Sequence, residues 1–153
     1  MRSRVRTCFI LHGRAEEAAR FYAATIPDST FDGAFYPQEG KPALMAEFTL
    51  AGTPYQILGD GPPDRPNPSA SISVTTKDQA ETDRIWNALV EGGAPSRCSW
   101  LTDRYGVSWQ IVPEILPRLI ANKDRAAAGR AMQAMFSMSK IDIAALEKAF
   151  RGA

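Results

Sequence analysis

One histidine, His12, occurs in the whole sequence, and this bounds the proton-transfer chemistry available near neutral pH. It stands beside Gly13, between an apolar run and a helix-forming run, where a surface or capping role competes with that of a general base. Glu47 is the second weak acid–base candidate, and a surface salt bridge competes for it. A repeated pattern says more: Gly52-Thr53-Pro54-Tyr55-Gln56-Ile57-Leu58 and Gly106-Val107-Ser108-Trp109-Gln110-Ile111-Val112 share the form Gly-x-x-aromatic-Gln-Ile-aliphatic. Each copy puts an uncharged amide, able to donate and to accept hydrogen bonds, inside a strand-like run. Ser69, Ser71, Ser73 and Thr75 add hydroxyls at every second position, so a strand there shows them on one face and Ala70, Ile72 and Val74 on the other. Ser108 shares the side of Gln110, opposite Val107, Trp109 and Ile111. Such a polar row suits a small polar ligand; equally, its members could satisfy one another. No Gly-x-Ser-x-Gly, His-Glu-x-x-His, P-loop or Cys-x-x-Cys pattern is present, which removes the commonest nucleophile, zinc and nucleotide chemistries.

These residues need elements to hold them. Val5 to Leu11 reads as a strand, and Ala15, Ala18, Ala19 and Tyr22 recur at helical spacing after it. Glu16 and Glu17 sit in the first turn of that helix, where its dipole favours acids. Three strand-like runs follow, 29–36, 43–50 and 54–58, separated by Gly40-Lys41-Pro42 and Ala51-Gly52-Thr53. Prolines in Gly61-Pro62-Pro63-Asp64-Arg65-Pro66-Asn67-Pro68 cannot continue a strand or helix, so this segment reads as a linker. Beyond it, 69–75 is a strand. Asp78 with Glu81 resembles a capping box for a helix bearing Ile85, Trp86, Leu89 and Val90, stopped by Gly92-Gly93. Further strands follow at 98–101 and 107–112. With 94–97 as the least defined piece, the order is βαβββ in the first half and βαβββ, or nearly, in the second, and Arg20-Phe21-Tyr22 against Arg84-Ile85-Trp86 supports a duplication. Three helices are expected over 113–121, 125–138 and 143–150, with Asp142 as an N-cap for the last. Their stripe Ala128, Ala131, Met132, Met135, Met138 is read as core packing, with a dimer contact as the alternative. The modules are taken as 1–60 and 69–112 with a helical extension over 113–153, all within one structural domain.

Composition restricts the partners. Lys plus Arg number 18 against 17 for Asp plus Glu, so no net field draws in nucleic acid or an anionic membrane. With 44% hydrophobic and 23% charged residues the chain reads as ordinary and globular. No apolar run is long enough for a signal h-region or a membrane span, and a cytoplasmic location is expected. Cys8 and Cys98 lack metal-like spacing and are expected as reduced, buried packing residues.

Three stretches carry a family resemblance: Ala15-Glu16-Glu17-Ala18-Ala19-Arg20-Phe21-Tyr22, the run from Ser99-Trp100-Leu101-Thr102-Asp103-Arg104-Tyr105-Gly106 to Pro113, and Lys140-Ile141-Asp142-Ile143-Ala144-Ala145-Leu146. Through them the chain resembles the PhnB-like proteins of the vicinal-oxygen-chelate (glyoxalase/bleomycin-resistance/dioxygenase) superfamily, often labelled 3-demethylubiquinone-9 3-methyltransferase-like. It departs at His12, where the family usually has an acidic residue, and at Gly59-Asp60-Gly61-Pro62, where an Asn-Gly-Gly-Pro-like stretch is usual. The resemblance implies an α+β fold of two βαβββ modules curled into an incomplete barrel around a pocket, commonly as a homodimer. Metal-binding members hold a divalent ion with His or Glu on the first strand of a module and Glu on its last. The corresponding positions here are read as Thr7, Gln56, Ser69 and Gln110, with no carboxylate or imidazole, so neither metal nor cofactor is expected. The expected pocket adds Ser71 and Ser108 and the aromatics Tyr55, Trp100 and Trp109. Binding of a small molecule without a metal is the first reading; an enzyme acting on a small oxygenated substrate through His12 or Glu47 is the alternative. Methyl transfer from S-adenosylmethionine generally uses a doubly wound sheet with a glycine-rich loop, which this pattern lacks, so that activity is not expected.

Overall fold

In the computed structural model, which describes residues 4–61 and 67–152, the run ahead of His12 forms strand β1 (Thr7–Ile10) and feeds helix α1 (Ala15–Thr25). The chain divides into two compact units, Met1–Pro66 and Asn67–Ala153. In the first, β2 (Thr30–Phe35), β3 (Met45–Leu50) and β4 (Thr53–Leu58) complete a sheet ordered β1-β4-β3-β2, with β1 parallel to β4 and the other pairs antiparallel. Helix α1 buries Ala15, Ala18, Ala19, Tyr22 and Thr25. Its target is the face of β3 and β4 that carries Ala46, Phe48, Leu50 and Ile57, all buried, with Tyr22 and Phe48 rings 5.8 Å apart. Each large side chain so placed stabilises the fold by about 1.5–3 kcal/mol. Between Phe31 and Gly33 the pairing with β3 slips by a residue at Asp32, whose carboxylate accepts from Thr30 Oγ1 (2.6 Å) and Thr49 Oγ1 (2.7 Å).

The second unit repeats the plan. Strands β5 (Ile72–Thr76), β6 (Ala94–Pro95), β7 (Trp100–Thr102) and β8 (Ser108–Pro113) form a sheet ordered β5-β8-β7-β6. Helix α2 (Gln79–Val90) buries Thr82, Ile85, Trp86 and Leu89, while Val90 is only half-buried. Asp78 caps it, accepting from Glu81 N at 2.8 Å, but Glu81 reaches back to Lys77 N (2.8 Å) and so completes the box one residue earlier than expected. Gly93 is needed after the helix because any Cβ there would overlap the Thr102 carbonyl oxygen. The linker prolines Pro62, Pro63 and Pro66 lie outside the described residues.

The turn between β7 and β8 is organised by one carboxylate. Asp103, only 3% exposed, accepts through Oδ1 from Tyr105 N (2.8 Å) and Val107 N (3.0 Å), and through Oδ2 from Trp109 Nε1 (2.8 Å). This anchors the return of the chain so that Trp100 stands opposite Gln110.

Helices α3 (Ile115–Ile120), α4 (Arg125–Phe136) and α5 (Ile143–Arg151) close the second unit around Leu116, Ile141 and Leu146. Ala128 and Ala131 are buried and Met135 and Met138 pack against that cluster, so most of the expected stripe serves the bundle's own core. Asp142 caps α5 as expected, accepting from Ala145 N at 2.9 Å. The bundle is tied to α2 through Gln79, whose Oε1 accepts from Ile143 N (2.8 Å) and whose Nε2 donates to Ile141 O (3.0 Å) and Asp83 Oδ1 (2.9 Å). Lys140 Nζ lies 2.7 Å from Asp83, and these two donors, Lys140 first, hold the Asp83 carboxyl below its ordinary range. No helix among the described residues is long and apolar enough to cross a membrane.

Candidate functional site

Each sheet has one face turned to its helix and one that this helix leaves open, and strand parity decides which side chain goes where. In the first sheet Phe9, Tyr55, Ile57, Ala46 and Phe48 share the α1 side: Phe48 stacks on Tyr55 at 5.4 Å, and Tyr55 on Phe9 at 6.2 Å. Burial pushes the Tyr55 hydroxyl pKa up. Thr7 pairs with Tyr55 and therefore belongs to that side. Gln56 lies on the open side, where its register neighbours are Cys8 on β1 and Glu47 on β3. Thr7 is thus corrected as a companion of Gln56; parity with Phe9 turns it away, and Cys8 takes the place.

The second sheet has the same geometry. Gln110 pairs with Ser73 on β5 and with Trp100 on β7, so these three share the open face. Ser108 and Thr102 form the next pair on that face, and Ser108 is buried. Ser71, just ahead of β5, accepts from Gln110 Nε2 at 2.8 Å. Ile72, Val74 and Thr76 point the other way, with Thr76 buried and hydrogen-bonded to Thr82 Oγ1 at 2.6 Å. Trp109 is fully buried on the α2 side with its N–H given to Asp103, and Tyr55 is its counterpart in the first sheet. Two of the three aromatics expected in the pocket, Tyr55 and Trp109, therefore belong to the helix-facing cores, and Trp100 stays with Gln110. Ser69 lies in an exposed turn before β5 begins, its amide donating to Asn67 Oδ1 at 2.9 Å, and so is outside the row that Ser71 and Gln110 form.

The acid–base candidates occupy different places. His12 is exposed and its Nδ1 lies 2.9 Å from Gly61 O, a contact that ties the end of β4 to the β1–α1 turn. Glu47 shares the open face with Gln56, where Arg6 NH1 donates to its Oε1 at 2.7 Å; the two side chains are only 16% and 18% exposed. Glu16 and Glu17 pair with Arg20 (2.8 Å) and Arg14 (2.7 Å), as first-turn acids with a structural role do. Tyr36, then Arg20, hold the Glu16 carboxyl below its ordinary range. Both cysteines are free thiols, but Cys8 is exposed and Cys98 half-buried, which corrects the expectation of buried packing: β1 turns Cys8 to the open side. Cys8 and the Arg6–Glu47 pair are the members of this face that sequence reasoning missed; the apolar parity of Phe9 and Leu11 is the signal that locates Cys8.

A divalent ion of the kind the resemblance implies requires several anionic or imidazole donors converging on one point. The open faces supply amides, hydroxyls, a thiol, the ion-paired Glu47 carboxylate and, toward β2, the Asp32 carboxylate already bonded to Thr30 and Thr49, and no group of three or more His, Cys, Asp or Glu suited to a metal occurs among the described residues. That donor set does not fit a tight divalent site.

Comparison with known proteins agrees with this architecture. The family model for 3-demethylubiquinone-9 3-methyltransferase matches residues 3–112. The tail at 140–146, which also carries the family resemblance, lies beyond those residues. Among solved structures the chain is similar to a PhnB protein from Bacillus cereus, at 27% identity over 72% of this chain and 99% of that one, with a TM-score of 0.66. It shares its fold with protein PA1353 from Pseudomonas aeruginosa (22% identity, 74% and 98% covered, TM-score 0.60) and with the fosfomycin resistance protein FosX from Mesorhizobium loti (15%, 80% and 99%, 0.51). No curated protein matches the chain. With both βαβββ modules inside the matched residues, this chain belongs to the 3-demethylubiquinone-9 3-methyltransferase family.

Proposed function

We propose that this protein binds a small polar molecule without a metal ion, through the hydrogen-bonding groups on the sheet faces that α1 and α2 leave open, and that it works as a cytoplasmic homodimer. One observation carries the reading: Gln56 and Gln110 stand at equivalent register positions in the two sheets, each on the open face. A neutral amide there offers a directional donor and acceptor but no charge for a cation. In the second sheet the amide Nε2 donates to Ser71 Oγ. The alternative, an enzyme acting on a small oxygenated substrate, draws on Glu47, the carboxylate beside Gln56. Its ion pair with Arg6 occupies one oxygen and favours positioning over proton transfer. Methyl transfer forms no part of the proposal, because each sheet is mixed and neither has the doubly wound order and glycine-rich loop that the methyl donor generally requires.

A thermal-shift screen of neutral polar metabolites and of divalent metal salts tests this. A specific binder at a hundred times its Kd stabilises by about 2.7 kcal/mol, a rise of several degrees in Tm. Gln110→Ala, still folded, is expected to weaken that binder by about tenfold, the worth of one good hydrogen bond. A shift produced by a divalent salt and by no organic compound would reverse the reading.

A further inference from the structure

The duplication supplies an internal comparison: the same glutamine sits in two sheets with different neighbours. Opposite Gln56 stands Glu47, drawn to Arg6, so that face is charged. Opposite Gln110 stands Trp100. The side chains on the second open face, Ser71, Ser73, Ser108, Gln110, Trp100 and Thr102, are all uncharged. A ligand there gains nothing from carrying a charge and must be recognised by shape and hydrogen bonding.

Trp100 differs from the other two tryptophans. Trp86 is 5% exposed and Trp109 is fully buried with its N–H bonded to Asp103. Trp100 remains partly exposed beside a half-buried amide. Gln110 Nε2 is committed to Ser71, and its Oε1 has no hydrogen-bond partner among the described residues. Residues paired across antiparallel strands have Cβ atoms about 4.5–5.5 Å apart. A ring lying on the indole would therefore carry its edge to the free amide oxygen, with the exposed Ser73 hydroxyl on the far side.

From this juxtaposition we infer the ligand class, an inference that rests on the binding function proposed above: a neutral, planar conjugated ring that stacks on Trp100 and donates an N–H to Gln110 Oε1. Planarity matters because ring stacking adds a preference of roughly 2–12-fold beyond the area it covers. The N–H matters because an acceptor edge would face the carbonyl oxygen of Gln110 and lose the bond.

Two fragments with the same amide and different rings, benzamide and cyclohexanecarboxamide, separate these ideas on the full chain. The readout is the indole N–H signals in 15N-labelled protein, with Trp100 assigned through Trp100→Phe. Benzamide is expected to move the Trp100 signal with a Kd in the millimolar range, as a ligand of this size allows, and to leave Trp86 and Trp109 unmoved. Cyclohexanecarboxamide should bind about fivefold more weakly, and Gln110→Ala should weaken benzamide by about tenfold with the spectrum otherwise retained. Equal binding of both fragments at Trp100 would overturn the ring preference and leave the binding function standing. A Trp100 signal that neither fragment moves, while the metabolite screen finds a binder, would overturn the assignment of the ligand to this face. Silence in both experiments would sink the binding function and this inference together.

Discussion

Replacing Asp103 by alanine is expected to destabilise the protein by about 3–5 kcal/mol, a large effect for one substitution, because three buried donors lose a shared acceptor and each such loss costs about 1–3 kcal/mol. Three donors converge on that carboxylate, Tyr105 N, Val107 N and the indole N–H of the fully buried Trp109. Water cannot replace it without opening the turn. Asp103→Asn is expected to be nearly as costly, because its NH2 must face either the indole N–H or the two backbone N–H groups. Urea unfolding followed by tryptophan fluorescence checks both variants. A loss below about 1 kcal/mol for alanine, within the range of an ordinary surface change, would mean the turn is held by other contacts. The consequence for the proposed site is direct, since this turn sets the register that brings Trp100 opposite Gln110.

The second large effect concerns the C-terminal helices. Gln79 is the side chain that joins α2 to the segment entering α5, and Gln79→Ala removes the acceptor for Ile143 N together with the donor to Ile141 O. Ile141 is fully buried, so its neighbourhood admits little water to compensate. A loss of about 2–3 kcal/mol is expected for two such groups. Local opening of α5 should accompany it, seen as faster amide exchange at Ile143 while amides in β8 keep their protection. The Lys140–Asp83 pair, partly exposed on both sides, cannot hold the bundle alone, since such pairs contribute about 1 kcal/mol or less. Unchanged exchange at Ile143 would show that the apolar cluster around Leu116 and Leu146 suffices.

Much of this arrangement was legible in the residues. The alternation of Ser73 and Thr75 with Ile72, Val74 and Thr76 gives the two faces of β5, and the shared Gly-x-x-aromatic-Gln-Ile pattern gives matching places for Gln56 and Gln110. The same alternation, followed through, also places Tyr55 and Trp109 with Ile57 and Ile111 on the helix sides; grouping them with the glutamines ignored their parity. Thr7 failed for the same reason, since it shares the parity of Phe9. Ser69 failed differently. The strand begins at Ile72, after a turn, and strand ends are set by backbone pairing that propensity does not reveal.

Other features depend on long-range contacts. Nothing local marks Asp103 as the partner of an indole six residues on, although Asp-Arg-Tyr-Gly announces a turn. The link from Gln79 to Ile143 spans 64 residues and exists because the bundle folds back onto α2. Arg6 and Glu47 meet across the sheet once β1, β4 and β3 are in register. Sequence patterns fix periodicity within a strand; the neighbours across strands follow from the register that the whole sheet adopts.

Because the sequence resembles a superfamily named for chelation, the chemistry of the open faces is the point to test. Elemental analysis of the purified full-length protein, after dialysis against a metal-containing buffer, tests it most directly. Divalent metal well below one equivalent per chain is expected, with no change on Gln56→Ala or Gln110→Ala. One tightly held ion per chain, lost in either variant, would contradict it.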